Sequence, residues 1–248
     1  MNDIKEAIAY ITNLAVKAEK PETLEINGKT YCTKNSLSRF DKEEMAEPIR
    51  ATTLTSLVDY IKEKREELRE HMIVHVLNPT TVLLYSGLLP ERERETLFHV
   101  DAMLPRFEYD REYDQESFII SMQACFKPSP DREVVTVMAS NIVNTQQATY
   151  SDDGITQQAV IKTGITTKEP VLVPNPVKLI PYRTFLEVEQ PESEFVFRIR
   201  ESRDGAPGFK LVEADGGSWK SQAMENVKNY LVEALADIPN REQITIIA

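Results

Sequence analysis

Prolines are concentrated in one part of this chain, and they limit the kind of sheet that it can form. The segment from Thr156 to Arg203 alternates between apolar and polar residues and contains five prolines, at positions 170, 174, 176, 181 and 191. Because proline lacks a backbone N–H group, it is tolerated at sheet edges, bends and strand starts but not inside a central strand. The segment therefore predicts short strands and bends, and it excludes a long central strand.

Helical and strand patterns follow one another irregularly along the rest of the chain. Apolar residues spaced by three or four predict helices, and alternating or short apolar runs predict strands. The predicted helices begin near Ile4, Leu54, Glu116 and Ser218. The predicted strands are a hairpin around Asn27-Gly28, three strands between His71 and Leu104, the runs VVTVMASNIV (134–143) and EFVFRIR (194–200), and a last strand, QITIIA (243–248).

Helices and strands are segregated unevenly, without a strand–helix rhythm. This favours an α+β fold with a mostly antiparallel sheet and flanking helices over a doubly wound sheet. We expect a single domain over residues 1–248, in which an N-terminal helix–hairpin arm (1–50) precedes an α+β body (51–248) with a C-terminal helix. Residues 34–50 are expected to form an irregular, charged linker.

The net charge and the absence of long apolar runs restrict the partners of the chain. Its 248 residues carry a formal net charge of -11, which argues against duplex nucleic acid, where affinity comes from neutralised phosphates. No run approaches the ~20 apolar residues that span a bilayer, and the N-terminal sequence lacks a signal-peptide pattern. Cys32 and Cys125 belong to no CxxC pair, so we expect reduced thiols and a cytoplasmic protein.

Sequence motifs for nucleotide binding and catalysis are missing. None of the 8 glycines falls in a phosphate-binding loop, and the chain contains neither GxSxG nor HExxH. Two pairs come closest to a catalytic or metal site: His71 with His75, which could bind a metal together with Glu67 or Glu70, and His99 with Asp101. Exposed polar residues on strands explain both pairs, so we expect no catalytic residue, no metal and no cofactor.

The stretch FEYDREYDQESF (107–118), called the acidic segment below, alternates acids with aromatic residues. Strict alternation would place the acids on one face of a strand and the aromatic rings on the other, and an acidic loop that leads into the next helix fits equally. Either arrangement predicts a solvated edge. The alternative is a partner-binding surface, formed by Glu108, Asp110, Glu112 and Asp114.

Four arginines fall within a short run of predicted strands: Arg183, Arg198, Arg200 and Arg203. A guanidinium group binds phosphate and carboxylate groups through two parallel hydrogen bonds. Four such groups in an acidic protein are a candidate pocket for a small anion. Cross-strand pairing with the neighbouring glutamates is the alternative explanation.

Four segments carry a resemblance to a known family: EPIRATTLTSLVDYIK (47–62), ESFIISMQACF (116–126), SDDGITQQAVIKTGI (151–165) and VPNPVKLIPYRTFLEVEQPESEFVFR (173–198). They resemble the YfdQ-like family of phage and prophage proteins. The Asp152-Asp153-Gly154 turn, the segment 181–185 and the Gln190-Pro191 step carry the resemblance best, and it covers most of the chain. It implies a bacteriophage origin and a cytoplasmic site of action. The function of that family is unknown, and it supplies no catalytic residue.

These observations favour a non-enzymatic phage accessory protein that forms a homo-oligomer and acts by binding. One form of this function is counter-defence, in which the arginine cluster sequesters a small anionic, nucleotide-like ligand. Two alternatives stay open. The first is an acidic module that binds a host protein, and the second is an enzyme with an unrecognised site at His99 with Asp101 or at His71 with His75.

Overall fold

The computed structural model describes residues 2–19, 22–34, 36–39, 44–63, 71–142, 157–163, 167–201, 206–239 and 241–248. The helices formed by these residues are α1 (Asn2–Glu19), α2 (Leu54–Glu63), α3 (Gln115–Cys125), α4 (Pro130–Asn141) and α5 (Trp219–Ala234). The strands are β1 (Glu22–Ile26), β2 (Lys29–Lys34), β3 (Ser36–Arg39), β4 (Ile49–Ala51), β5 (Met72–Asn78), β6 (Thr81–Tyr85), β7 (Thr96–Asp101), β8 (Gln157–Thr163), β9 (Thr167–Val173), β10 (Val177–Leu179), β11 (Ser193–Glu201), β12 (Pro207–Glu213) and β13 (Ile244–Ile247). A short 3₁₀ helix, Arg241–Gln243, precedes β13.

The chain divides into two compact units, Met1–Ala46 and Glu47–Ala248. The first unit contains α1 and an antiparallel sheet with the strand order β1-β2-β3. Asn27 and Gly28 have φ angles of 55° and 73° at the turn between β1 and β2. The hairpin predicted from this residue pair is therefore confirmed. The organisation of arm and body as a single domain stays a prediction.

The expectation of an irregular linker over residues 34–50 is wrong at two places. β3 pairs with β2, and β4 pairs in parallel with β7. Both strands are short and carry charged residues, which sequence patterns assign to loops. They form because a neighbouring strand satisfies their backbone N–H and C=O groups, and because charged side chains are tolerated on edge strands.

The second unit contains two hydrophobic cores. Core 1 lies between α2, α5 and one face of a five-stranded sheet with the order β13-β5-β6-β7-β4. Pairing is antiparallel except at the two edges, where β13 is parallel to β5 and β4 is parallel to β7. Met72, Val74 and Val76 alternate inward along β5, and α2 adds Leu54 and Leu57. The period of each element thus buries one face of it.

Core 2 lies between α3, α4 and one face of the antiparallel sheet β10-β11-β12. Phe195, Phe197 and Ile199 of β11 are buried, and the residues between them face the opposite side of the sheet. The ring of Phe118 in α3 stacks on Phe197, with 5.6 Å between the centroids. The alternation predicted for EFVFRIR is confirmed, and aromatic packing is its physical basis.

The strand predicted over residues 134–143 is wrong, because most of this run belongs to helix α4. Ser129 caps the helix by accepting a hydrogen bond from the backbone nitrogen of Arg132 (3.2 Å), and Pro130 occupies the first turn. Its buried face consists of Val135, Met138 and Ala139. A serine cap followed by proline starts a helix, and packing against core 2 outweighs the strand preference of the valines.

The segment 180–192 connects the two cores. Phe185 is buried in core 1, whereas the guanidinium group of Arg183 lies over the ring of Phe195 in core 2. Glu187 accepts a hydrogen bond from the backbone nitrogen of Leu54 (2.8 Å) at the start of α2. These contacts hold the connecting segment in place and thereby fix the position of Arg183.

The predicted α+β class, with mostly antiparallel pairing and helices near both ends of the chain, is confirmed. Where its prolines lie, the proline-rich segment forms short or edge strands: β9, which contains Pro170, pairs with β8 in a two-stranded ribbon, and β10 has three residues. The exclusion of a long central strand is wrong, because β11 has nine residues, contains no proline and lies between β10 and β12. Within the described ranges, no helix combines the length and the apolar content needed to cross a bilayer.

Candidate ligand-binding cavity

A cavity of about 370 Å³ lies in the second unit where the two cores meet, and we call it the Arg183 cavity. The chain after β7, the acidic segment, the end of α3, the connecting segment and the start of α5 surround it. Its walls include Arg106, Tyr109, Cys125, Tyr182, Arg183 and Trp219. Its volume falls within the range of roughly 300–1,000 Å³ that is usual for small-molecule sites.

Arg183 is the buried cation of this cavity, and only 8% of its surface is exposed. Its Nη1 atom lies 2.5 Å from Oε1 of Glu213, and its Nη2 atom donates to the hydroxyl of Ser193. The guanidinium carbon lies 4.0 Å from the centre of the Trp219 ring. Burial lowers the pKa of Arg183, and the neighbouring Tyr109 and Glu213 oppose that effect. The group stays charged, because arginine does not deprotonate in proteins.

The buried amide of Gln190 holds the backbone on which Arg183 stands. Its Oε1 atom accepts hydrogen bonds from the backbone nitrogens of Arg183 (3.0 Å) and Thr184 (3.2 Å). Its Nε2 atom donates to the carbonyl oxygen of Phe185 (2.8 Å). The same Nε2 atom lies 3.3 Å from the carbonyl oxygens of Thr184 and Val188. One side chain thus contacts five backbone groups of a segment without regular secondary structure, which fixes the conformation of that segment.

A tight turn brings Trp219 onto Arg183 at the start of α5. Gly216 and Gly217 adopt φ angles of 63° and 81°, and Oδ1 of Asp215 accepts a hydrogen bond from the backbone nitrogen of Gly217 (3.0 Å). Ser218 precedes the helix as predicted, but its side chain makes no capping hydrogen bond. Burial acts to raise the pKa of Asp215, but hydrogen bonds from Ser193 and Gly217 outweigh it and lower the pKa.

Two groups that could act as nucleophile or base in the cavity are held in their protonated forms. Burial raises the pKa of the Tyr109 hydroxyl far above its usual value and also raises the pKa of the Cys125 thiol. A thiol is a weak nucleophile, and a protonated phenol cannot accept a proton. We therefore expect Cys125 not to act as a thiolate nucleophile and Tyr109 not to act as a phenolate base.

The hydrogen-bonding capacity of the cavity walls is not filled by the protein itself. Arg183 Nε and Trp219 Nε1 are buried and have no hydrogen-bond partner among the described residues. Buried donors nearly always have partners in folded proteins, and one left unpaired costs about 1–3 kcal/mol. Both donors belong to residues that line the Arg183 cavity.

The predicted arginine cluster does not converge on one pocket within the described residues. Arg183 lies on the buried face of the sheet, beside Ser193 and Phe195. Arg198 and Arg200 fall at the alternate positions of β11 and face the other side. Arg203 lies outside the described residues. The four are close in sequence, but the period of two in β11 turns Arg198 and Arg200 away from the face on which Arg183 lies.

The acidic segment is a loop that covers the open edge of β12. Its backbone nitrogens at Asp110 and Tyr113 donate to the carbonyl oxygens of Leu211 and Phe209, each at 2.8 Å, and Phe209 donates back to Tyr113. The aromatic rings of Phe107, Tyr109 and Tyr113 pack against core 2. The acidic loop proposed from the sequence fits this arrangement better than a regular strand, and covering an edge prevents unwanted strand pairing.

Three of the four candidate partner-binding acids have partners within the chain. Glu108 pairs with Arg111, Asp110 Oδ1 lies 2.5 Å from Lys210 Nζ, and Asp114 caps α3 by accepting a hydrogen bond from the backbone nitrogen of Ser117 (2.9 Å). These contacts lower the pKa values of all three carboxyl groups. The fourth, Glu112, is exposed and packs its side chain over Gly208.

The histidine pairs lie away from the Arg183 cavity. His99 Nε2 is 3.1 Å from Asp101 Oδ2 on the face of the sheet that points away from core 1, and the Asp101 side chain is 57% exposed. His75 stands on the same face of β5. His71 lines a second cavity of about 580 Å³, together with Arg94 and Leu88. The described residues contain no group of three side chains placed to hold a metal ion, and Glu67 and Glu70 lie outside them.

Sequence reasoning found Arg183 but missed the residues around it. Trp219 and Glu213 come from α5 and β12, and no spacing rule connects them with Arg183, whereas Tyr182 directly precedes Arg183 in the sequence but carries no signal of its own. One signal was present: the segment 181–185 and the Gln190-Pro191 step stood out as marks of the family resemblance. That segment is the one that carries Arg183 into the cavity.

Comparison of the chain with protein-family models, with curated proteins and with solved structures gives no match. The resemblance to the YfdQ-like family, and the phage origin that it implies, stay predictions from the sequence.

Proposed function

We propose that this chain is a non-enzymatic binding protein that holds a small anionic ligand in the Arg183 cavity. The observation that carries the proposal is a buried guanidinium group with an unpartnered Nε donor, next to a second unpartnered donor on Trp219, at the wall of a cavity of about 370 Å³. Such a site gains affinity when a ligand brings acceptors to donors that the protein leaves unfilled.

The charges around the cavity favour an anion over a cation. Arg106 and Arg183 are among the lining residues, and no carboxylate of the described residues lines the cavity. Glu213 pairs with Arg183, and Glu213 and Asp215 together offset part of its charge. The site therefore suits a ligand with a single negative group better than a polyphosphate, because partial compensation limits the net positive potential.

Two further parts of the proposal concern the biological setting. Self-assembly is supported by α1, which exposes Ile4, Ile8, Ile11 and Leu14 on one face; a helix in water depends on packing such a face against a partner. Sequestration of a host signal by a phage protein rests on the sequence resemblance alone.

Trp219 is the only tryptophan of the chain and lines the cavity, so its fluorescence reports occupancy directly. The test is a titration of the purified protein with the anionic part of the small-molecule fraction of a bacterial extract. We expect a saturable change in Trp219 fluorescence, which Arg183→Met abolishes and Arg106→Gln weakens.

If Arg183→Met fails to fold, Arg106→Gln still tests the proposal, because the Arg106 side chain is exposed. Arg92→Gln, at an exposed position outside the cavity lining, should behave like the wild type. The absence of any change in the wild-type protein would refute the proposal.

A second candidate function, an acidic module for a basic host protein, draws on the exposed Glu112 and on the surface position of the acidic segment. Exposed ion pairs within the chain contribute little energy and can exchange partners. If this function is correct, replacing Glu108, Asp110, Glu112 and Asp114 with neutral residues removes binding to the host partner, and high salt weakens it. Binding that survives both changes would contradict it.

A further inference from the structure

We infer that the Arg183 cavity binds a mononucleotide, with its base stacked on Tyr182 and its phosphate at the mouth beside Arg106. This inference rests on the proposed function and names the chemical class of the ligand. Three observations support it: Tyr182 is not stacked on another ring of the described residues, the cavity is small, and Arg106 and Arg183 differ in burial.

Tyr182 is the aromatic residue of the cavity wall that core packing leaves available. Phe107 already packs against Tyr113 with 5.0 Å between the ring centroids, and Tyr109 stacks on Phe195 at 5.4 Å. Trp219 is covered by the guanidinium group of Arg183. Among the described residues, Tyr182 has no ring partner, and its backbone nitrogen is anchored to the carbonyl oxygen of Cys125 (2.9 Å). An anchored, unstacked ring is a platform for a flat heteroaromatic ligand.

The cavity size limits the ligand to one ring system and one charged group. At about 370 Å³, the cavity is near the lower end of the usual range for small-molecule sites. A single base with its sugar and phosphate is compatible with that space, whereas a dinucleotide would have to extend into solvent. The partly offset charge of Arg183 points the same way, because a triphosphate would bring more negative charge than the walls can neutralise.

The two arginines differ in burial, and this difference assigns them different roles. Arg183 is buried and held by Glu213 and Ser193, so its remaining donors suit a neutral acceptor on the base or sugar. The Arg106 side chain is 86% exposed, and its ion pair with Glu108 is long, with 3.9 Å between Nη2 and Oε1. Because it is exposed and weakly paired, it can turn toward a phosphate at the mouth without breaking a core contact.

The test is isothermal titration calorimetry of the full chain with the four ribonucleoside 5′-monophosphates, their nucleosides and ribose 5-phosphate. We expect at least one monophosphate to bind, with its nucleoside and ribose 5-phosphate each weaker by about tenfold or more. Tyr182→Leu should weaken the monophosphate by about tenfold or more, whereas Tyr182→Phe, which keeps the ring, should stay close to the wild type. Tyr10→Leu, at an exposed tyrosine of α1, is the control for loss of a surface ring.

Two results would overturn the inference. One is ribose 5-phosphate binding as tightly as the monophosphate, and the other is a Tyr182→Leu variant with unchanged affinity. If no monophosphate binds while the bacterial extract still changes Trp219 fluorescence, the mononucleotide assignment fails and the proposed function stands. If the extract also has no effect, both fail.

Discussion

The geometry of the Arg183 cavity depends on a few side chains, each of which holds the next one in place. Gln190 fixes the backbone of Arg183, and Arg183 in turn stacks on Trp219 and pairs with Glu213. Each contact comes from a different element, so the geometry of the site follows from the packing of core 1 against core 2. A change at Gln190 should therefore affect both stability and binding.

We predict that Gln190→Leu destabilises the protein by about 2–5 kcal/mol. The substitution leaves the backbone nitrogens of Arg183 and Thr184 buried without an acceptor, and each unpaired donor costs about 1–3 kcal/mol. Urea unfolding followed by circular dichroism measures the change. Gln222→Leu, which removes only an exposed contact with Asn226, should change stability by less than about 0.5 kcal/mol. Equal effects of the two substitutions would contradict the role given to Gln190.

A pair of glycines tests how closely the backbone packs. A Cβ atom at Gly87 would lie 2.8 Å from the backbone oxygen of His71, which cannot move without disturbing β5. At Gly208 the nearest atoms belong to the flexible side chain of the exposed Glu112. We predict that Gly87→Ala costs about 1–3 kcal/mol and Gly208→Ala less than about 0.5 kcal/mol, measured by thermal unfolding. The reverse order would contradict the close packing around Gly87.

At the scale of single elements, α3 is tied to its N-cap, Asp114. The carboxylate accepts hydrogen bonds from the Ser117 hydroxyl (2.6 Å) and from the Ser117 backbone nitrogen (2.9 Å). The Ser117 side chain contributes most to lowering the pKa of Asp114, followed by the Ser117 backbone. We predict that Asp114→Ala destabilises the protein by about 1 kcal/mol at pH 7, in chemical unfolding experiments.

The pH dependence of this cap has a definite sign. Because the folded pKa of Asp114 is lowered, its charge stabilises the fold above the unfolded pKa of about 3.9, and this contribution is lost as the pH falls through the folded value. Asp114→Asn keeps a capping oxygen but cannot titrate. The stability difference between the wild type and Asp114→Asn should therefore shrink between pH 5 and pH 2. A difference that is constant over this range would contradict the assignment.

The elements that sequence patterns predicted correctly are those whose local signals agree with their packing. The Asn27-Gly28 turn, the alternation of Phe195 and Phe197, and the helix that starts after Asp114 are examples. Helix α4 is not predicted by its residue pattern because its valines favour a strand, although Ser129 and Pro130 are start signals for a helix. Short edge strands such as β3 and β4 carry no pattern of their own, since pairing with a neighbour is what forms them.

The site itself was only partly predictable for a related reason. Arg183 could be named from its residue type, but burial and ring contacts make it different from Arg198 and Arg200. Those properties depend on which face of the sheet each side chain occupies and on residues far apart in sequence. Tyr182 and Trp219 have no local signature, so the fold had to be known before they could be assigned.

At the scale of the whole molecule, the exposed face of α1 predicts self-assembly. We expect the purified protein to be an oligomer, and Ile8→Glu with Ile11→Glu to shift it toward smaller species, because charges would enter the exposed apolar face. Ala9→Glu with Asn13→Glu adds the same charge to the other side of the helix and should leave assembly unchanged. Size-exclusion chromatography with light scattering measures both. A wild-type monomer would contradict the prediction.

The measurement that tests the central claim most directly is native mass spectrometry of the full chain after incubation with the small-molecule fraction of a bacterial extract, in gentle and in denaturing modes. We expect a discrete extra mass per chain that disappears on denaturation and is reduced in the Tyr182→Leu variant. The released mass identifies the ligand. A protein that carries no extra mass, or one whose extra mass is unaffected by changes at both Tyr182 and Arg106, would contradict the claim that the Arg183 cavity is a binding site.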